Sequence, residues 1–122
     1  MANDFKRFTV NNVNTSAGAS ASAVYTVPAG AGSSALESIV IGITVSNTSS
    51  TGITASVFLD NNSGSNDVHI VKDATIPAGS SLEVMSGNKL VLMNDGSNAD
   101  VLKASCSATN SLDATVSILE DV

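Results

Sequence analysis

The sequence predicts an all-β fold, a single antiparallel β-sandwich of immunoglobulin-like or jelly-roll type with an extended N-terminal arm. Three observations carry this expectation. Apolar and polar residues alternate strictly from Val24 onward, the pattern of half-buried strands. β-Branched residues crowd every apolar run, and no long stretch keeps a helical period. Clusters of Gly, Asn, Asp and Ser recur at short intervals, which suits roughly seven to nine short strands joined by turns. At 122 residues the chain is the size of one domain. Its expected division is an arm and linker over residues 1–22 and a sandwich over residues 23–122.

The arm opens with Asp4-Phe5-Lys6-Arg7-Phe8-Thr9-Val10, which holds two of the three Phe and two of the five basic residues. Small polar residues from Asn11 to Ala23 follow and read as a mobile linker. Fully extended, this linker spans roughly 40 Å at about 3.3 Å per residue. Phe5, Lys6, Arg7 and Phe8 are therefore the expected partner-docking residues of an arm that leaves its own domain. The alternative is an edge strand folded back on its own sheet.

The next segment, Val24 to Ala35, reads VYTVPAGAGSSA. Its second half fits the G-x-G-x-x-G/A pattern of a dinucleotide-binding loop, which needs a following helix whose N-terminus faces the phosphate. Here the chain continues as Leu36-Glu37-Ser38-Ile39-Val40-Ile41, a strand. Pro28 fixes φ and holds Val27 extended, so the expected structure is a strand ending at a tight turn. The later phrase Ala74 to Ser81, ATIPAGSS, repeats the proline and the Ser-rich exit without the second glycine.

Ile39, Ile41, Ile43 and Val45 are expected on one strand face, and Ile53, Ala55, Val57 and Leu59 on that of the next. The polar segment from Asn47 to Gly52 between them predicts a hairpin. Shorter strands follow at Val68–Lys72, Leu82–Met85, Lys89–Met93 and Ala99–Cys106. The last, Leu112–Leu119, turns Leu112, Ala114, Val116 and Ile118 to one face.

Composition excludes several function classes. Eleven acids against five bases give a net charge of −6. The bases are scattered, so nucleic acid is not an expected partner. No apolar run approaches the roughly 20 residues of a membrane helix, and no membrane partner is expected. The opening MANDFKRFTV lacks the apolar segment of a secretory signal, so the chain is expected to be either made and used in a cytoplasm, the favoured reading, or already processed. Cys106 is the single cysteine and reads as a small core hydrophobe. No cofactor is expected.

The candidate chemical groups are few. His69 is the one imidazole, and strand periodicity places it on an outer face or in a subunit contact rather than in a catalytic constellation. The loop from Asp60 to Asp67 offers oxygen ligands at alternating positions, as calcium requires. Asp60, Asn62 and Asp67 are its candidate ligands, although the EF-hand spacing fails: Gly64 comes one place early and Val71 stands where the bidentate acid belongs. A solvated loop is the simpler expectation. Aromatic residues make up only 3% of the chain, leaving little on which to stack a sugar or a base. By contrast, 20 Ser, 10 Thr and 12 Asn make about a third of the chain small and neutral-polar, a surface suited to sheets held in an assembly.

The succession Tyr25-Thr26-Val27-Pro28-Ala29-Gly30, Ile41-Gly42-Ile43-Thr44-Val45-Ser46-Asn47-Thr48, Ile70-Val71-Lys72-Asp73-Ala74-Thr75-Ile76-Pro77-Ala78-Gly79-Ser80-Ser81-Leu82-Glu83, Asp100-Val101-Leu102-Lys103 and Ser117-Ile118-Leu119-Glu120 resembles small virion structural proteins of tailed phages, particularly those of marine cyanobacteria. It covers nearly the whole chain, including MANDFKRF, and its motifs are structural. The resemblance implies a non-enzymatic β-sandwich present in many copies on the capsid, neck or tail. It would be a homo-oligomer partnered by itself and other virion proteins, assembled in the host cytoplasm and located in the virion. The alternative is a receptor- or glycan-binding module of a fibre or cell surface.

Overall fold

The computed structural model describes residues 3–61, 66–85 and 89–121. These residues form nine strands: β1 (Asn3–Val10), β2 (Ser22–Thr26), β3 (Leu36–Asn47), β4 (Ile53–Asn61), β5 (Asn66–Ile76), β6 (Ser81–Glu83), β7 (Leu90–Asn94), β8 (Val101–Cys106) and β9 (Leu112–Asp121). One sheet runs β1-β9-β3-β6, with β7 pairing the other half of β3, and the second runs β2-β8-β4-β5. Every pairing between these strands is antiparallel. The two sheets pack as an all-β sandwich, as the alternation predicts.

The core lies between the sheets. From the five-stranded sheet it takes Val40, Ile43 and Val45 of β3, Leu92 of β7, and Leu112, Ala114, Val116 and Ile118 of β9, all buried. From the other it takes Ile53, Ala55, Val57, Leu102, Ala104 and Cys106. The expected inward faces of β4 and β9 therefore hold. That of β3 holds at Ile43 and Val45 but not before them: the register slips between Val40 and Gly42 against β9, and the bulge changes which residues face inward. Val40 enters the core while Ile39 faces outward and Ile41 is exposed.

The expected hairpin between β3 and β4 is also corrected, because the two strands belong to different sheets. The Asn47–Gly52 segment crosses from one layer to the other, and the buried side chain of Asn47 secures the crossing. Its Nδ2 donates to Thr51 O at 2.8 Å and to Ile76 O of β5 at 3.0 Å. Its Oδ1 accepts from Ser49 N at 2.9 Å and Ser49 Oγ at 2.7 Å. An amide with both ends bonded stands buried without a desolvation penalty left unmet.

The N-terminal segment takes the second of its two expected forms. Asn3–Val10 pairs with β9 of the same chain from Asn3↔Asp121 to Val10↔Ala114. It is an edge strand of the five-stranded sheet rather than an arm extending from the domain. The linker is packed too: Val13 is buried in the core, Val13 N donates to Leu112 O at 2.7 Å, and Asn14 O accepts from Cys106 N at 3.1 Å. A lone valine among small polar residues supplies the anchor that composition alone obscures.

Candidate functional site

The phosphate-loop pattern forms a corner. Gly30–Ala35 holds a single 3₁₀ turn over Ala31–Ser33, then enters β3. The Gly30 N–H is engaged internally by Ser34 O at 2.8 Å. Gly96 packs under this corner at φ 96°, and a side chain there would collide with Ser33 O. The corner thus serves loop-to-loop packing, as its lack of a following helix predicts.

Beside it, Tyr25 of β2 joins the two sheets. Its hydroxyl lies 2.7 Å from Ser38 Oγ and donates to Glu120 Oε2 at 2.6 Å. Glu120 Oε1 in turn takes an ion pair from Lys6 Nζ at 2.9 Å. Burial, reinforced by the bond to Glu120, pushes the Tyr25 phenol well above its ordinary value. The Glu120 hydrogen bond and charge hold Lys6 above its ordinary value as well. A half-open cleft of about 400 Å³ adjoins this network, lined by Lys6, Asp4, Glu120 and the Pro28–Ala31 and Ser34–Leu36 stretches.

Strand pairing separates the four expected docking residues. Lys6 and Phe8 point inward, toward Glu120 and against the Tyr25 ring at a centroid distance of 4.7 Å. Phe5 and Arg7 therefore point outward by alternation. Phe5 is 78% exposed, and its register partners continue across the sheet: Phe5↔Leu119, Leu119↔Ile39, Ile39↔Val91. These four apolar residues form one row across β1, β9, β3 and β7. Val91 is 53% exposed, and the nearby Met93 and Ile41 are 57% and 43% exposed. Isolated surface apolar residues are ordinary, whereas these lie side by side on one outer face. Its sequence signal is the run Ile39-Val40-Ile41, whose successive apolar positions put apolar side chains on both faces of β3.

Part of the outer face of the four-stranded sheet is buried by the chain itself. Phe58 is buried there and stacks with exposed His69 at 4.9 Å, so His69 lies on an outer face as expected. Lys103 Nζ pairs with Asp60 Oδ2 at 3.1 Å and donates to Ala19 O at 3.2 Å. Of the candidate calcium ligands, Asp60 and Asp67 stand directly opposite each other, and Asn62 lies outside the described residues. Asp60 is already committed to Lys103, which corrects its reading as a solvated loop residue. Among the described residues no group of three or more His, Cys, Asp or Glu is placed to hold a metal.

Cys106 is buried in the core, and its Sγ lies 3.1 Å from Ala108 O and 3.3 Å from Val13 O. Burial pushes the thiol up, away from its reactive thiolate form. A thiol reagent at neutral pH is expected to leave Cys106 unmodified until denaturant opens the fold. Rapid labelling of the native chain, followed by intact mass, is the contrary result.

No protein-family model matches the sequence, and no curated protein matches it.

Proposed function

We propose that this chain is a non-enzymatic structural subunit of a tailed-phage virion, present in multiple copies as a neck, tail or capsid-decorating component. The observation that carries the reading is the outward row Phe5–Leu119–Ile39–Val91, exposed at both ends and half-buried at Leu119 and Ile39, with exposed Met93 and Ile41 beside it. Such a face lowers its free energy by meeting another protein surface. The sparse charge and abundant small polar residues fit close packing around that face. Peptide mass spectrometry of washed particles of the encoding phage is expected to find the chain at many copies relative to the major capsid protein. Its absence from intact particles overturns the proposal.

A glycan-binding module is the second reading, and the cleft beside Lys6 favours it. Its lining offers two carboxylates and an ammonium but no aromatic ring on which to stack a sugar.

A further inference from the structure

We propose that the chain forms a two-fold dimer through the outer faces of two five-stranded sheets, with Arg7 of each copy set against Glu37 of the other. This deepens the assembly reading and rests on it for the use of that face. The commitment to a second copy comes from the arrangement of charge around the apolar row.

Arg7 lies two residues from Phe5 along β1, on one side of the row. Glu37 lies two residues from Ile39 along β3, on the other side, opposite Met93. Both are exposed, and among the described residues neither has an ion-pair partner. With strands about 4.8 Å apart and residues about 3.4 Å apart, the two charges are separated by about 10 Å across the sheet and about 14 Å along it. Leu119 stands midway in both directions. A two-fold axis lying in the interface through Leu119, perpendicular to the Arg7–Glu37 line, carries each charge onto the other. One rotation therefore makes two opposite-charge contacts, as an isologous interface requires.

The apolar residues tolerate the same rotation. On flat-sheet spacings the two rows cross at Leu119, and the strands of the two copies meet at about 70°, near the orthogonal class of sheet packing. Val91 of each copy then falls over Gly42 of the other, an outward position without a side chain and with open space where one would stand. Phe5 and Ile39 flank the crossing and lose water on both copies. A partner of different sequence would use the apolar row equally well. A second copy meets the diagonal pair of charges with its own opposites about the same Leu119 centre on which the apolar rows cross.

The test is a charge exchange in the full chain, read by sedimentation equilibrium at low salt. The wild type is expected to dimerise, and Arg7→Glu and Glu37→Arg are each expected to weaken the dimer about tenfold or more by setting like charges together. The double variant restores it, because each new acid again meets a new base. Both sites are exposed, so melting midpoints matching the wild type show that the fold is intact. A wild type that stays monomeric, single variants that dimerise normally, or a double variant that fails to recover each overturns the dimer. A wild-type monomer whose incorporation into particles is blocked by Ile39→Asp sinks the dimer while leaving the assembly reading standing. Absence of the chain from particles sinks the virion reading whatever the dimer does.

Discussion

Lys103→Ala is expected to cost about 3–5 kcal/mol of folding stability, the loss typical of a buried carboxylate left without its counter-charge. Lys103 and Asp60 are on neighbouring strands of one sheet, 3.1 Å apart and each about nine-tenths buried at the side chain. Ala19 O takes a further hydrogen bond from the ammonium, so the lysine is well satisfied. The aspartate is less so: Oδ1 is buried and has no partner among the described residues. Removing Lys103 therefore leaves a carboxylate with little to hold its charge. Removing both groups removes the problem, and Lys103→Met combined with Asp60→Leu is expected to recover most of the loss. Urea unfolding of the single and double variants, followed by circular dichroism, gives the coupling between them. Single variants within about 1 kcal/mol of wild type would show that water reaches the pair and that it behaves as a surface bridge.

That pair also shows where sequence reasoning ends. Alternation correctly placed Ile53, Ala55 and Val57 in the core and Asp60 on the opposite face. It then equated the opposite face with solvent. Phe58 is nonetheless buried beside His69, and Asp60 beside Lys103, whose ammonium also donates to Ala19 O of the linker. No local pattern in Asn11–Ala23 announces such a contact, since Val13, its anchor in the core cluster, stands alone among small polar residues. The β3 bulge is hidden for a related reason: with Ile39, Val40, Ile41 and Ile43 all apolar, either register buries hydrophobic residues, and pairing with β9 decides between them. The residues expected to dock were legible as a cluster in Asp4–Val10. Their separation into inward Lys6 and Phe8 and outward Phe5 and Arg7 follows only once that segment is known to be a strand. Leu119, Ile39 and Val91 were legible as apolar but not as neighbours of Phe5, because their row depends on three long-range pairings.

Tyr25→Phe is expected to destabilise the fold by about 1–3 kcal/mol and to change its response to alkali. The substitution keeps the ring against Phe8 but removes a hydroxyl that serves both Ser38 Oγ and Glu120 Oε2. Two buried oxygens in the opposite sheet lose a partner, while Glu120 keeps Lys6. The pH effect follows from the raised pKa, whose causes are burial first and then the bond to a carboxylate that repels a phenolate. The folded chain therefore holds the phenol proton where the unfolded chain, titrating near about 10, has begun to release it. Stability linked to Tyr25 is complete below about pH 10 and falls as pH rises from there, because the unfolded state binds fewer protons in that window. Lys6 is also raised by Glu120, so its contribution declines in the same direction and leaves a residual slope in the variant. Urea midpoints measured from neutral pH into the alkaline range are expected to fall steeply above about pH 10 for the wild type and less steeply for Tyr25→Phe. Parallel curves would mean that the hydroxyl reaches water in the folded chain, and that the bridge from β2 to Glu120 contributes little to holding the sheets together.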